Sequence, residues 1–212
     1  METKFSISEV LKTSWKKVKE QIWVMAGLFV AYCIVSGVLN MLLSPLASSM
    51  VGGVAVSLIS CIVSIIFSLG YIKNSFQILD AEEPQFSAYG NQLNKILKYV
   101  VGGILYAIAV MIGMVFLIIP GIYIALRLQF YACFIVEENM GGVEALKKSW
   151  EVTKGQAWSL FLLALTWIGL SVLGFVCLIV GVFVVMPVIY VMNCYVYRKL
   201  TAVEVAQEDN NE

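Results

Sequence analysis

No aspartate, glutamate, lysine or arginine occurs between Gln21 and Ile72. A soluble domain cannot cover its surface with such a stretch, so this run decides most of what the chain can fold into. Two similar runs follow. Tyr99 to Leu126 is uncharged and resumes after Arg127 as far as Val136, and Gly155 to Tyr197 is uncharged throughout. A hydrocarbon core of about 30 Å takes about 20 helical residues to cross, so each run holds two spans. The runs are continuously apolar, whereas a lipid-facing strand would alternate with period two, so helices are expected and a barrel is not. Composition agrees: 60% of residues are hydrophobic and 13% charged, against about 25% charged in soluble chains. Lysine plus arginine equals aspartate plus glutamate at 14 each, so no net basic charge recruits nucleic acid.

Turn-forming residues divide the runs. Asn40, Ser44-Pro45 and Ser48-Ser49 through Gly52-Gly53 break the first, and Pro120-Gly121 the second. The third contains only Gly169, Gly174 and Gly181, which leaves its turn loosely placed. The expected fold is an all-α, polytopic membrane helical bundle of six transmembrane helices, near 21–43, 51–73, 99–118, 121–137, 157–177 and 180–198. One membrane domain covers 1–200, and 201–212 is expected to be a disordered acidic tail.

Orientation follows from the basic residues. Lys4, Lys12, Lys16, Lys17 and Lys19 precede the first span. Lys73, Lys95 and Lys98 flank the second connection, Lys147, Lys148 and Lys154 lie in the fourth, and Arg198-Lys199 follow the last span. The first, third and fifth connections carry no charge. The positive-inside rule then puts every cluster, and both termini, in the cytoplasm of a plasma (inner) membrane protein. The leading polar segment is too long, and the apolar stretch after it too extended, for a cleaved signal peptide, so the first span is expected to be an uncleaved anchor.

The chain also resembles itself. SISEVLKTSWKKVKEQIW (6–23) and GGVEALKKSWEVTKGQAW (141–158) share Glu9/Glu144, Leu11/Leu146, Lys12/Lys147, Ser14/Ser149, Trp15/Trp150, Lys19/Lys154, Gln21/Gln156 and Trp23/Trp158 without a gap. A fainter copy lies at 86–98. The implied unit is an amphipathic cytoplasmic linker helix followed by a helical hairpin, used three times over about 6–80, 86–137 and 141–199. In the first copy Ile7, Val10, Leu11, Trp15 and Val18 form one apolar stripe, Ser6-x-x-Glu9 has the form of a capping box, and Lys12, Lys16 and Lys19 take another face. Such helices either lie in the interface or pack across the cytoplasmic ends of the bundle. In the first case Trp15, Trp23, Trp150 and Trp158 sit at headgroup depth, with Lys19 and Lys154 toward anionic lipid.

Arg127 is the one charge well inside a span, where it should find a partner. No acid lies in a span. The candidates are carbonyls freed at Pro120 or Pro187, the side chains of Asn40, Asn193 or Gln129, or a lipid phosphate. The role is either structural or the binding of an anionic solute or lipid by Arg127, Asn193 and Gln129. Pro120, Gly121 and Pro187 are the expected hinges. Asn193, Tyr190, Tyr195 and Tyr197 cluster on the last span as interhelical or interfacial groups.

Catalysis has little to draw on. The chain has no histidine, and its five cysteines, Cys33, Cys61, Cys133, Cys177 and Cys194, are scattered singly as packing residues. No metal, cofactor or catalytic set is expected, and coupled transport is disfavoured without midplane carboxylates.

Ile119-Pro120-Gly121-Ile122-Tyr123, Arg127, Glu144 through Trp150, Lys154-Gly155 and Tyr197-Arg198-Lys199-Leu200 resemble a group of uncharacterised bacterial integral membrane proteins. That group is in turn similar to the membrane domain attached to some glycerophosphoryl diester phosphodiesterases. The resemblance implies a six-span helical protein concerned with the envelope or lipids and brings no activity, since no phosphodiesterase catalytic domain is present. The expected function is a non-catalytic accessory, scaffold or lipid-interacting factor. Its partner would be the bilayer, with anionic lipid on the cytoplasmic face, and a protein partner or homo-oligomer stays open. The alternative is a small permease or transporter subunit that uses Arg127.

Overall fold

A computed structural model describes residues 5–176 and 178–209. Among them there is no strand, and six helices are long and apolar enough to cross a membrane. In chain order the helices are α1 (Ile7–Leu43), α2 (Met50–Leu79), α3 (Ser87–Asn91), α4 (Ile96–Phe116), α5 (Ile118–Leu128), α6 (Tyr131–Glu137), α7 (Gly142–Val152), α8 (Ala157–Val176) and α9 (Leu178–Asp209), with short 3-10 turns at Leu46–Ser48 and Leu93–Lys95. The chain is an all-α membrane bundle.

Local chemistry explains the boundaries. α1 leaves helical geometry once, at Gln21 (φ −121°, ψ 19°), where the first charge-free run begins; a polar leading segment is thereby set off from an apolar span. Ser49 caps α2 by accepting the Gly52 N–H at 3.0 Å, which satisfies one of the helix's orphan donors. The second run turns at Leu117, which is extended (φ −167°, ψ 149°). This is earlier than the expected Pro120-Gly121, because a proline in the first turn of a helix forfeits only an N–H that has no partner there. Gly121 instead lets the turn close: a Cβ on Gly113 would lie 2.9 Å from the Gly121 Cα.

Three further expectations need correction. Pro187 stands inside α9, which runs on as one helix, so the breaks in the even-numbered spans fall elsewhere, as between α5 and α6 at Gln129-Phe130. The segment from 201, expected to be disordered, continues α9 to Asp209 and is pinned by Lys148–Glu204 at 3.0 Å; residues 210–212 lie outside the described residues. The capping box at Ser6 does not form. The Ser6 hydroxyl pairs with Ser8, while Glu9 is taken by Tyr195 and Lys199, each at 2.9 Å.

The inner helices are α2, α6 and α9. Phe76 and Phe134 meet the Tyr197 ring edge-on at 5.5 and 4.8 Å, and all three side chains are buried. Beside them Arg198 binds Asp80 at the end of α2 and Glu137 at the end of α6, and Lys73 reaches Glu137 at 3.7 Å. One guanidinium on α9 thus ties the ends of the other two inner helices.

The short helices seat against these hairpins. α7 packs on α4, α5 and α6, and α3 on α2. Leu11 and Trp15, on the leading segment of α1, stand beside Leu170 of α8 and Val184 and Val188 of α9. The buried stripe is Val10, Ser14 and Val18 in one segment and Ala145, Ser149 and Thr153 in the other, all fully buried. It shares Val10 and Val18 with the expected stripe, but between them Ser14 faces protein in place of Trp15, which is 46% exposed. Leu11 and Trp15 flank it.

Candidate functional site

Arg127 sits one position before the end of α5 and is 5% exposed. α7 ends at Val152, where helix carbonyls lose their intrahelical donors; the Thr153 and Lys154 N–H groups serve the Ser149 and Glu151 carbonyls, and the guanidinium serves that of Trp150. Nη2 donates to the Trp150 carbonyl, Nε to the Thr153 hydroxyl at 3.3 Å, and Nη1 to the Tyr123 hydroxyl at 3.1 Å. Tyr123 stands one helical turn before Arg127, where i and i+4 share a face. The cation also lies 3.8 Å from the Trp150 ring centre and 5.6 Å from that of Tyr123, and the two rings meet edge-on at 5.9 Å. A helix C-terminus carries partial negative charge, so both the dipole and the π faces favour the cation.

The latch runs both ways. The Arg127 carbonyl accepts from Ser149 at 2.8 Å and from Thr153 at 3.2 Å. Where α7 begins, Gly142 lies against α4: a Cβ there would come within 2.6 Å of the Gly102 nitrogen and the Lys98 carbonyl. The Glu144 carboxylate accepts the Gly141 N–H at 3.3 Å. α7 is thus held at its start by a backbone contact and at its end by an arginine.

Among the described residues, none of the side chains expected as partners of Arg127 is among those it binds. Asn40 donates to the Ser36 carbonyl at 2.8 Å. Gln129 is two positions on, and side chains at i and i+2 do not face each other. Asn193 lies on α9, which packs on α1, α2 and α8. The Gln129 Nε2 and Asn193 Oδ1 are buried with no hydrogen bond among the described residues. Among the described residues neither Gln129 nor Asn193 hydrogen-bonds the Arg127 guanidinium. The partners the sequence reading missed are Tyr123, Ser149 and Thr153, and the i, i+4 spacing of the last two on α7 was the signal available.

The residues expected at the interface are open. Trp23 and Trp158 are 88% and 69% exposed, Trp15 and Trp150 are 46% and 38% exposed, and Lys19 and Lys154 are exposed as well. Other cations are engaged within the chain. Lys95 donates to the Val136 carbonyl at 2.6 Å and Lys98 to the Asn139 carbonyl at 2.7 Å, so both cap the end of α6. The Glu82-Glu83 and Glu137-Glu138 pairs stand where α2 and α6 end, and Tyr197 donates to Glu138. Among the described residues no group of acidic or cysteine side chains is placed to hold a metal.

These features define a polytopic helical membrane protein whose one buried in-span arginine joins two of its own elements. The chain belongs to a family of proteins of unknown function, DUF975, whose pattern it matches over residues 4–204. Comparison with curated proteins and with solved structures gives no match. The resemblance to an uncharacterised membrane family therefore stands, and the similarity to the phosphodiesterase membrane domain has no support.

Proposed function

We propose that this chain is a non-catalytic, multi-pass protein of the plasma membrane with both termini in the cytoplasm, acting as a lipid-interacting scaffold or accessory factor. The observation that carries this reading is the state of Arg127. An arginine serving a permease would present its guanidinium to a cavity, whereas this one spends its donors on Trp150, Thr153 and Tyr123. The lysine-bearing segments and the exposed tryptophans support a bilayer role. The same reading takes the chain as three linker-plus-hairpin units, the second and third linkers seated on the hairpin before them and the first on the last hairpin. The coincidence of Val10/Ala145, Ser14/Ser149 and Val18/Thr153 as buried positions supports that arrangement.

The test is Arg127→Gln, scored for membrane abundance, thermal unfolding in detergent and anionic lipid co-purified per molecule. The expected result is a loss of about 2–3 kcal/mol, the scale of hydrogen bonds to a charged group, with lipid per molecule unchanged. Arg127→Lys should not rescue, since an ammonium is a compact point charge and lacks the planar fork that spreads donors to these separate acceptors. Normal abundance with lost lipid would instead make Arg127 a ligand site.

A further inference from the structure

Two lipid-facing grooves are built from the same residue types. In one, Leu11, Lys12 and Trp15 close over Leu170, Val184 and Val188, enclosing about 340 Å³. In the other, Leu146, Lys147 and Trp150 close over Leu105, Ala109 and Leu128, enclosing about 390 Å³. Both volumes fall in the usual range for ligand clefts, about 300–1,000 Å³. The floors are hydrocarbon throughout, and each wall carries one indole and one ammonium. Lys12 and Lys147 are exposed and make no ion pair or hydrogen bond among the described residues, unlike Lys73, Lys95, Lys98 and Lys199. An apolar slot with a free cation at its edge is complementary to an acyl chain that ends in a negatively charged phosphate.

We propose that these two grooves are specific sites for anionic phospholipid, the acyl chain lying in the slot under Trp15 or Trp150 and the headgroup phosphate meeting Lys12 or Lys147. This deepens the lipid-interacting reading above and rests on it. A groove on α1 and α2, lined by Phe86 and Tyr89 and holding about 190 Å³, and one lined by Tyr123, Trp158 and Phe161, about 350 Å³, have no lysine in their linings, so neither offers a cation to a headgroup. The two sites also differ. Glu151 lines the groove of Lys147, where the matching position of the first segment is Lys16. The Lys12 site is therefore the tighter of the pair.

Full-length protein is reconstituted in phosphatidylcholine vesicles containing either phosphatidylglycerol or phosphatidylcholine with brominated acyl chains, and quenching of tryptophan fluorescence is read at equal mole fractions. Variants that keep only Trp15 or only Trp150 assign the signal to a groove. The expected result is a preference for brominated phosphatidylglycerol of about fivefold at Trp15, the equivalent of one basic residue near a surface, and a smaller one at Trp150. Lys12→Gln should remove the first preference and Lys147→Gln the second, and the arginine replacements should keep both. Co-purified phosphatidylglycerol that survives Lys12→Gln/Lys147→Gln overturns the grooves as sites while leaving a lipid-interacting protein. Equal quenching by the two lipids at both tryptophans, with no phosphatidylglycerol enriched on purification, overturns the sites and the lipid reading together.

Discussion

At the residue scale the structure is governed by two arginines with opposite settings. Arg127 is enclosed and satisfied by neutral oxygens and rings, so its worth is that of a buried network. Arg198 is a third exposed and meets carboxylates, so water screens it, and pairs of this kind contribute no more than about 1 kcal/mol. Its hydrogen bonds to Asp80 hold that carboxyl below the usual aspartate range, against a smaller opposing effect of burial. A carboxyl depressed in the folded state adds stability that is fully present above the unfolded value, about 3.9, and is lost as pH falls through the folded one. Unfolding followed from pH 7 to pH 3 should therefore show an acid-side loss that is shallower in Asp80→Asn, and superimposable curves would contradict the pairing. That Arg127 needs a partner was legible from its isolation among apolar residues. Of its partners only Tyr123, one turn earlier on the same helix, was within reach of sequence reasoning; the other acceptors belong to a helix end that only tertiary packing brings near.

At the element scale, the short helices are docked pieces of the bundle. Their apolar faces were plain in the sequence, and Val10 and Val18 are buried as expected, but Ser14 and not Trp15 completes the side that faces protein. Periodicity marks an apolar side and cannot tell lipid from protein as its neighbour, and only size separates the two. Gly142 makes the point testable. Its approach to α4 involves backbone atoms, which cannot yield as a flexible side chain can. Gly142→Ala should cost about 1–3 kcal/mol, the usual penalty of overpacking. By contrast Gly37→Ala, with nothing within 4 Å of the new methyl group, should be neutral or stabilise α1 by about 0.5–1 kcal/mol. Equal effects of the two substitutions on thermal unfolding would show that α7 is not seated as described. The turn falls at Leu117 for a related reason: Pro120 reads as a breaker, yet prolines are tolerated at helix starts.

For the whole molecule, the number of spans followed from charge spacing alone, since hydrocarbon excludes ions whatever the details of packing. The same exclusion predicts sidedness. In a background with its cysteines replaced, Ser48→Cys, in the turn between α1 and α2, should react with a membrane-impermeant thiol reagent added outside intact cells. Glu83→Cys, between α2 and α3, should react only after permeabilisation, and labelling of both from one side would overturn the topology. The contacts of Glu9 with Tyr195 and Lys199 bear on how the protein is made. Glu9 on α1 clasps α9, made well over a hundred residues later, so these two helices cannot close on each other until translation has delivered α9. Until then the face of the leading segment that docks on α9 is left bare. A nascent chain halted before α9 should accordingly be nicked by protease near Ser14, a site that the finished protein conceals.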